Sequence, residues 1–194
     1  RNLFGWGLGK EAGPSTAELS RELQGLLIEG QSAGGALSEE QRVRADELIT
    51  KLASAPIQWN PSLLGGGAWR ACYTKGPEPK WKALTRALPF AKSRAYQDYD
   101  TASQSVTNAA EVLGDAVKVR AFGTYREFDG KKTTPKDFEV TVTRGEVSLP
   151  GGLSLGLSIS GVGYQRVLYA DGNLRVFESI NTTPTEWERE GLVV

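Results

Sequence analysis

The chain of 194 residues has no histidine and no methionine, a single cysteine, and no net charge, with 23 basic side chains against 23 acidic ones. Each shortage excludes a class of chemistry. Without imidazole there is no Ser-His-Asp or Cys-His nucleophile, no His-ligated metal and no histidine acid–base work. One thiol, Cys72, makes neither an internal disulfide nor a cysteine-rich metal site. Zero net charge lacks the basic excess of a general nucleic-acid binder, so no nucleic acid is expected as a partner. No apolar run approaches the roughly 18 residues that a membrane-spanning helix needs. The missing methionine, in a chain that starts at Arg1, leads us to expect a product from which a secretory or organellar presequence has been removed.

What remains is an ordinary water-compatible composition, long enough to bury a core without disulfide or metal staples. Residues 1–14 interleave Leu3, Phe4, Trp6 and Leu8 with glycine, without a helical or strand period. They read as an extended arm, either packed on its own domain or docked on a partner. Residues 15–56 read as a helical section packed on the following domain. Ser15 with Glu18 and Ser38 with Gln41 form capping boxes. Leu19, Leu23, Leu26 and Leu27 make one apolar stripe; Val43, Ala45, Leu48, Ile49 and Leu52 make the inward face of a second helix. Gly34-Gly35 and Pro56 end the two helices.

From residue 57 to 194 the apolar period is that of strands. The segment 67–74 alternates Trp69, Ala71 and Tyr73 with Arg70, Cys72 and Thr74. Further strands are expected over 96–100, 103–111, 116–128, 137–144, 153–160, 164–170 and 173–178, with tight turns at Asp129-Gly130 and Asp171-Gly172. The sum is a mainly β chain with N-terminal helices: an up-and-down antiparallel sheet of about eight strands, able to close into a barrel that holds one small ligand.

Several blocks resemble one family. Asn60-Pro61, Leu63-Leu64-Gly65, Gly67-Ala68-Trp69-Arg70 and Tyr73-Thr74 are similar to the motif that opens the barrel of the plastid lipid-associated proteins, or fibrillins. Tyr96-Gln97, Tyr99-Asp100 and Val106-Thr107-Asn108 resemble that family's second block. Leu168-Tyr169-Ala170-Asp171 with Leu174-Arg175-Val176 resembles its closing strand, and Gly191-Leu192-Val193-Val194 its apolar terminus. The closing strand departs from the pattern at Phe177-Glu178. The resemblance implies a lipocalin-like barrel in the chloroplast, peripheral to the thylakoid membrane or the plastoglobule. It also implies an apolar lipid or pigment as ligand: a carotenoid, a chlorophyll or a prenyl lipid such as a prenylquinone.

On that barrel Trp69 and Arg175 are expected to meet at the closed end as a cation-π pair, worth about 0.5–2 kcal/mol. The inward strand faces present Tyr73, Val119, Phe138, Val140, Val142, Leu155, Leu157 and Ile159, an apolar lining that suits either a ligand cavity or a filled interior. Lys80, Lys82 and Arg86 flank Trp81 in a basic stretch. With Phe4 and Trp6 they are candidates for docking on an anionic membrane or an acidic partner; the alternative is a solvated helix against the barrel. Asp98 and Asp100 read as solvent-facing rather than catalytic, and the glycine clusters as turns. The expected function is a non-enzymatic fibrillin-like protein that binds or organises apolar lipids. The rival is a structural subunit attached to a photosynthetic membrane complex.

Overall fold

The computed structural model describes residues 13–32, 37–76, 94–114, 116–180 and 189–194. Helix α1 spans Thr16–Ser32 and helix α2 Glu39–Ala53. Both capping boxes form. Ser15 Oγ accepts from Glu18 N at 3.3 Å while the Glu18 carboxylate accepts from Ser15 N at 2.7 Å, and Ser38 and Gln41 do the same at α2. The caps satisfy N–H groups that the first turn of a helix leaves free.

Leu19, Leu23 and Leu27 of α1 and Ala45, Leu48, Ile49 and Leu52 of α2 are buried in one cluster with Leu168, Leu174, Val176 and Val194. The helices therefore share a core with the segment that follows them. Burying each such leucine or isoleucine contributes about 1.5–3 kcal/mol. Val43 does not join them: it is 53% exposed. It lies two residues before Ala45, about 200° around the helix at 3.6 residues per turn, and so on the far side.

The strands are β1 Ala68–Arg70, β2 Thr74–Lys75, β3 Arg94–Asp100, β4 Ser105–Glu111, β5 Lys118–Glu127, β6 Lys136–Ser148, β7 Ser154–Leu157, β8 Gly161–Ala170, β9 Arg175–Ile180 and β10 Arg189–Val193. They form one curled sheet in the order β1-β3-β4-β5-β6-β8-β9-β10-β2, with β7 paired to β6 off this path. Every pairing is antiparallel. The expected strand over 67–74 divides in two. Its first half pairs with β3 and its second half with β10, so one short segment touches both ends of the sheet. Between the halves, Ala71 N bonds to Ala95 O, and Cys72 N and Tyr73 N both bond to Val194 O. Strand β10 has no counterpart among the expected strands.

The Asp171-Gly172 turn is tight, as expected: Asp171 Oδ1 accepts from the backbone N–H of Asn173 and Leu174. Asp129-Gly130 is not a two-residue turn. β5 and β6 are joined by a longer loop, because Lys136, 1% exposed, draws the chain around its ammonium group. Lys136 Nζ bonds to Asp129 O at 2.7 Å and Lys131 O at 3.1 Å, and pairs with Glu127 at 2.8 Å and Asp129 at 3.0 Å. A buried cation gathers as many oxygen partners as its three protons allow, and here the loop supplies them.

Candidate functional site

Register assigns the faces of the curled sheet. Val106, Asn108 and Ala110 of β4 lie opposite Gly123, Ala121 and Val119 of β5. Val140 and Val142 of β6 lie opposite Gly163 and Gly161 of β8. These residues face inward, where Tyr99, Tyr125, Phe138, Val167 and Phe177 also gather. The outer face carries charged pairs such as Arg126 with Glu139 and Arg166 with Asp137.

Residue size along the inner face divides the interior into two halves. At one end large rings pack together: Tyr99 meets Tyr125 edge-on at 4.9 Å, Tyr125 meets Phe138 at 6.0 Å, and Phe138 meets Trp59 at 5.4 Å between ring centroids. Trp59 enters from the segment before β1, which a bridge between Gln58 and Thr133 and the bond from Trp59 N to Lys132 O hold across this end. At the other end the inward residues include the small Ala110, Ala121, Gly161 and Gly163 beside Val119 and Val142. A Cβ at Gly161 or Gly163 would meet nothing within 4 Å. The sheet is thus solid at one end and hollow at the other, and an open cavity of about 390 Å³ occupies the hollow part.

Arg175 closes the solid end. Its guanidinium lies over the Trp69 indole at 3.7 Å, the contact expected from sequence. It donates to the carbonyls of Leu64 and Gly65, and Trp69 Nε1 donates to Gly65 O at 3.0 Å. Gly66 and Gly67 follow with φ of +96° and +102°, a left-handed pair that turns the chain back and leaves those carbonyls facing inward. Arg175 is 4% exposed, and among the described residues no carboxylate forms an ion pair with it. Burial lowers its pKa to about 10, an effect that Tyr99, Asp98 and Tyr125 partly oppose. It remains a cation at neutral pH.

Between solid end and cavity runs a belt of polar side chains. Tyr99 Oη donates to Gln165 Oε1 at 2.5 Å, and Gln97 Nε2 donates to Asn108 Oδ1 at 2.9 Å and to Gln165 Oε1 at 3.4 Å. Burial pushes the Tyr99 hydroxyl well above the usual phenol range, with Arg175 pulling the other way. Asn108, Gln165 and Ser179 reach the cavity wall beside Val140, Val142, Ile159 and Gly163.

Not all the expected lining residues share this space. Phe138 is in the solid core; Val140 belongs to that core and also reaches the cavity. Val142 and Ile159 line the cavity, and Val119 faces the same way by register. Leu155 and Leu157 pair with Val147 and Gly145 on that same face, but at 50% and 37% exposure they stand open, because among the described residues β7 pairs with β6 and no other strand. Tyr73 is a correction. It packs with the helix-facing cluster, outside the curl, and its hydroxyl donates to Asp46 at 2.9 Å. The irregular backbone of 71–73, where β1 hands over to β2, breaks the alternation that put it inside. Phe4, Trp6, Lys80, Trp81, Lys82 and Arg86 lie outside the described residues.

Gln97, Asn108 and Gln165 do not stand out in the sequence, because strand alternation marks apolar side chains. Their spacing carried the signal: Gly161, Gly163 and Gln165 alternate, as do Val106, Asn108 and Ala110. Half-buried Cys72 sits against the helices, where burial raises its thiol pKa. Among the described residues no group of carboxylates and thiols gathers as a metal site, and no helix is long and apolar enough to cross a membrane. No family model and no curated protein matches the chain.

Proposed function

We propose that this chain is a non-enzymatic carrier, a lipocalin-like barrel that takes one small apolar molecule through its open end. The observation that carries the proposal is the asymmetry of the inner face: rings and a buried guanidinium fill one end, alanine and glycine clear the other. Closure of the curl rests on Ala68–Arg70 and Thr74–Lys75, which pair with β3 and β10 at the two ends of the strand order. A cavity with mainly apolar walls and a few polar groups is the usual form of a small-molecule site. The resemblance to plastid lipid-associated proteins supports a carotenoid, chlorophyll or prenyl lipid as ligand and a chloroplast setting at the thylakoid or plastoglobule surface.

One feature favours a second reading, attachment to a photosynthetic membrane complex. Leu153, Leu155, Leu157, Ile159 and Val162 are exposed around β7, more apolar surface in one place than scattered surface residues produce. Organic extraction of the natively purified protein separates the two readings. A pigment or prenyl lipid recovered at one per chain supports the carrier; a ligand-free protein that co-purifies with membrane complexes supports the subunit. An apolar fluorescent probe that fails to bind the purified chain at high concentration ends the carrier reading.

A further inference from the structure

The polar belt gives the cavity a chemical preference, and this inference rests on the carrier reading. Gln165 Oε1 is engaged by Tyr99 and Gln97, and Asn108 Oδ1 by Gln97. Among the described residues neither Asn108 Nδ2 nor Gln165 Nε2 finds an acceptor, and both residues border the cavity. The oxygens of the two amides are spent on the protein, so their donors are left for whatever enters.

The belt is held in this orientation from below. An amide network could in principle be reversed end for end, with every oxygen and nitrogen exchanged. Reversal would require the Tyr99 hydroxyl to accept from Gln165 and to turn its proton elsewhere. Tyr99 is 2% exposed and among the described residues its hydroxyl has Gln165 Oε1 as acceptor, so reversal would leave a buried proton without a partner. Polarity therefore runs from Tyr99 through Gln165 and emerges in the cavity as N–H groups. A chain of hydrogen bonds polarised in one direction also strengthens its last donor.

The rest of the lining excludes charge. Val140, Val142, Ile159, Gly161 and Gly163, with the hydroxyl residues Ser160, Tyr164 and Ser179, supply no counter-ion, and among the described residues no Asp, Glu, Lys or Arg borders the cavity. An ionised ligand head would lose its hydration there without a partner. An oxygen that only accepts, on an otherwise apolar molecule, would satisfy both donors and lose little.

We propose that the cavity selects a neutral, largely apolar molecule bearing a carbonyl oxygen, which accepts hydrogen bonds from Asn108 Nδ2 and Gln165 Nε2. The aliphatic body would lie against Val142, Ile159 and the glycine wall of β8, pointing toward the open end.

The test is displacement of a bound apolar fluorescent probe by three C12 compounds: a methyl ketone, the matching alkane and the matching primary alcohol. The purified chain is compared with Asn108→Val, Gln165→Met and the double variant. The ratio of ketone to alkane affinity should fall about tenfold in the double variant and by less in each single one, with alkane affinity kept, since a hydrogen bond worth about 1.4 kcal/mol corresponds to a factor of ten. Retained alkane binding also shows that the variants fold, and Asn108→Val leaves the Tyr99–Gln165 bond in place should Gln165→Met unfold the chain. A ratio unchanged by the substitutions overturns the inference and leaves the carrier reading standing. So does a wild-type preference for alcohol over ketone after correction for their partition into hydrocarbon, because that would mean acceptors face the cavity. A probe that does not bind at all removes the carrier reading and this inference with it.

Discussion

Arg175 is a full charge carried into the solid end of the sheet with no carboxylate paired to it among the described residues, and two of its nitrogens, Nε and Nη1, have no hydrogen-bond partner there. The carbonyls of Leu64 and Gly65 and the face of Trp69 are what compensate its lost hydration. Truncation should therefore be expensive in two ways: it opens a hole beneath Trp69 and leaves the buried Leu64 carbonyl without the guanidinium donor. Arg175→Ala is expected to lower stability by about 2–5 kcal/mol, and Arg175→Met by less, because methionine refills the space without bringing a charge. Arg126→Ala is the control. Arg126, unlike Arg175, pairs with a carboxylate, Glu139, but it is largely exposed, and such pairs contribute about 1 kcal/mol or less. Denaturant midpoints that coincide for Arg175→Ala and Arg126→Ala would mean that the guanidinium does not close this end.

The helices hold the outside of the sheet beside the segment 68–75, which pairs with β3 and with β10. Tyr73 and Lys75 both reach Asp46 of α2, at 2.9 and 2.6 Å, and Arg70 donates to Gln31 of α1. A second clamp joins α1 to the turn between β8 and β9. Ser20 Oγ and Tyr169 Oη donate to Asp171 Oδ2 at 2.5 and 2.9 Å, while its other oxygen holds the turn backbone. Burial alone would raise the Asp171 pKa. The bonds from Ser20, Asn173, Tyr169 and Leu174 outweigh it and hold the carboxyl below the ordinary aspartate value. A carboxyl whose folded pKa is depressed stabilises the fold above its unfolded pKa and loses that contribution as pH falls through the folded value. Asp171→Asn should therefore cost about 1–3 kcal/mol near neutrality. The gap to wild type should narrow as pH falls below about 4, where the unfolded carboxyl takes up its proton. Urea denaturation of both proteins from pH 7 to pH 3 checks this, and a gap that widens on acidification would refute it.

At the scale of the whole molecule, the hollow half is a place where stability and the proposed ligand binding separate. Glycine in a strand interior costs about 0.5–1 kcal/mol relative to alanine, and the apolar walls of an open cavity leave further burial unrealised. Gly163 has an ordinary strand conformation, and a side chain there would enter empty space. Gly163→Leu and Val142→Trp are accordingly expected to keep or raise the melting temperature while weakening binding of an apolar fluorescent probe by tenfold or more. Undiminished probe binding would place the site elsewhere, the exposed apolar surface around β7 being the next candidate.

Local chemistry was legible in the sequence. The capping boxes at Ser15 and Ser38, the leucine stripes, the Asp171 turn and most of the strands depend on residues a few positions apart, so the spacing of side chains was enough to read them. Pairing of Trp69 with Arg175 came from a resemblance rather than from spacing, and the geometry agrees with it. What spans long distances was not legible. The split of one expected strand between two distant partners, the outward turn of Tyr73, the long loop around Lys136 and the amide belt each depend on which strands become neighbours. An asparagine or glutamine on a strand has the same local signal whether it meets water or another amide; only the register between β3, β4 and β8 brings Gln97, Asn108 and Gln165 together. The sequence by itself determined that the chain folds as helices followed by an antiparallel sheet, because side-chain period and capping act locally. Tertiary structure alone decided that the interior is solid at one end and hollow at the other, because that depends on the summed size of side chains from many strands meeting at one level.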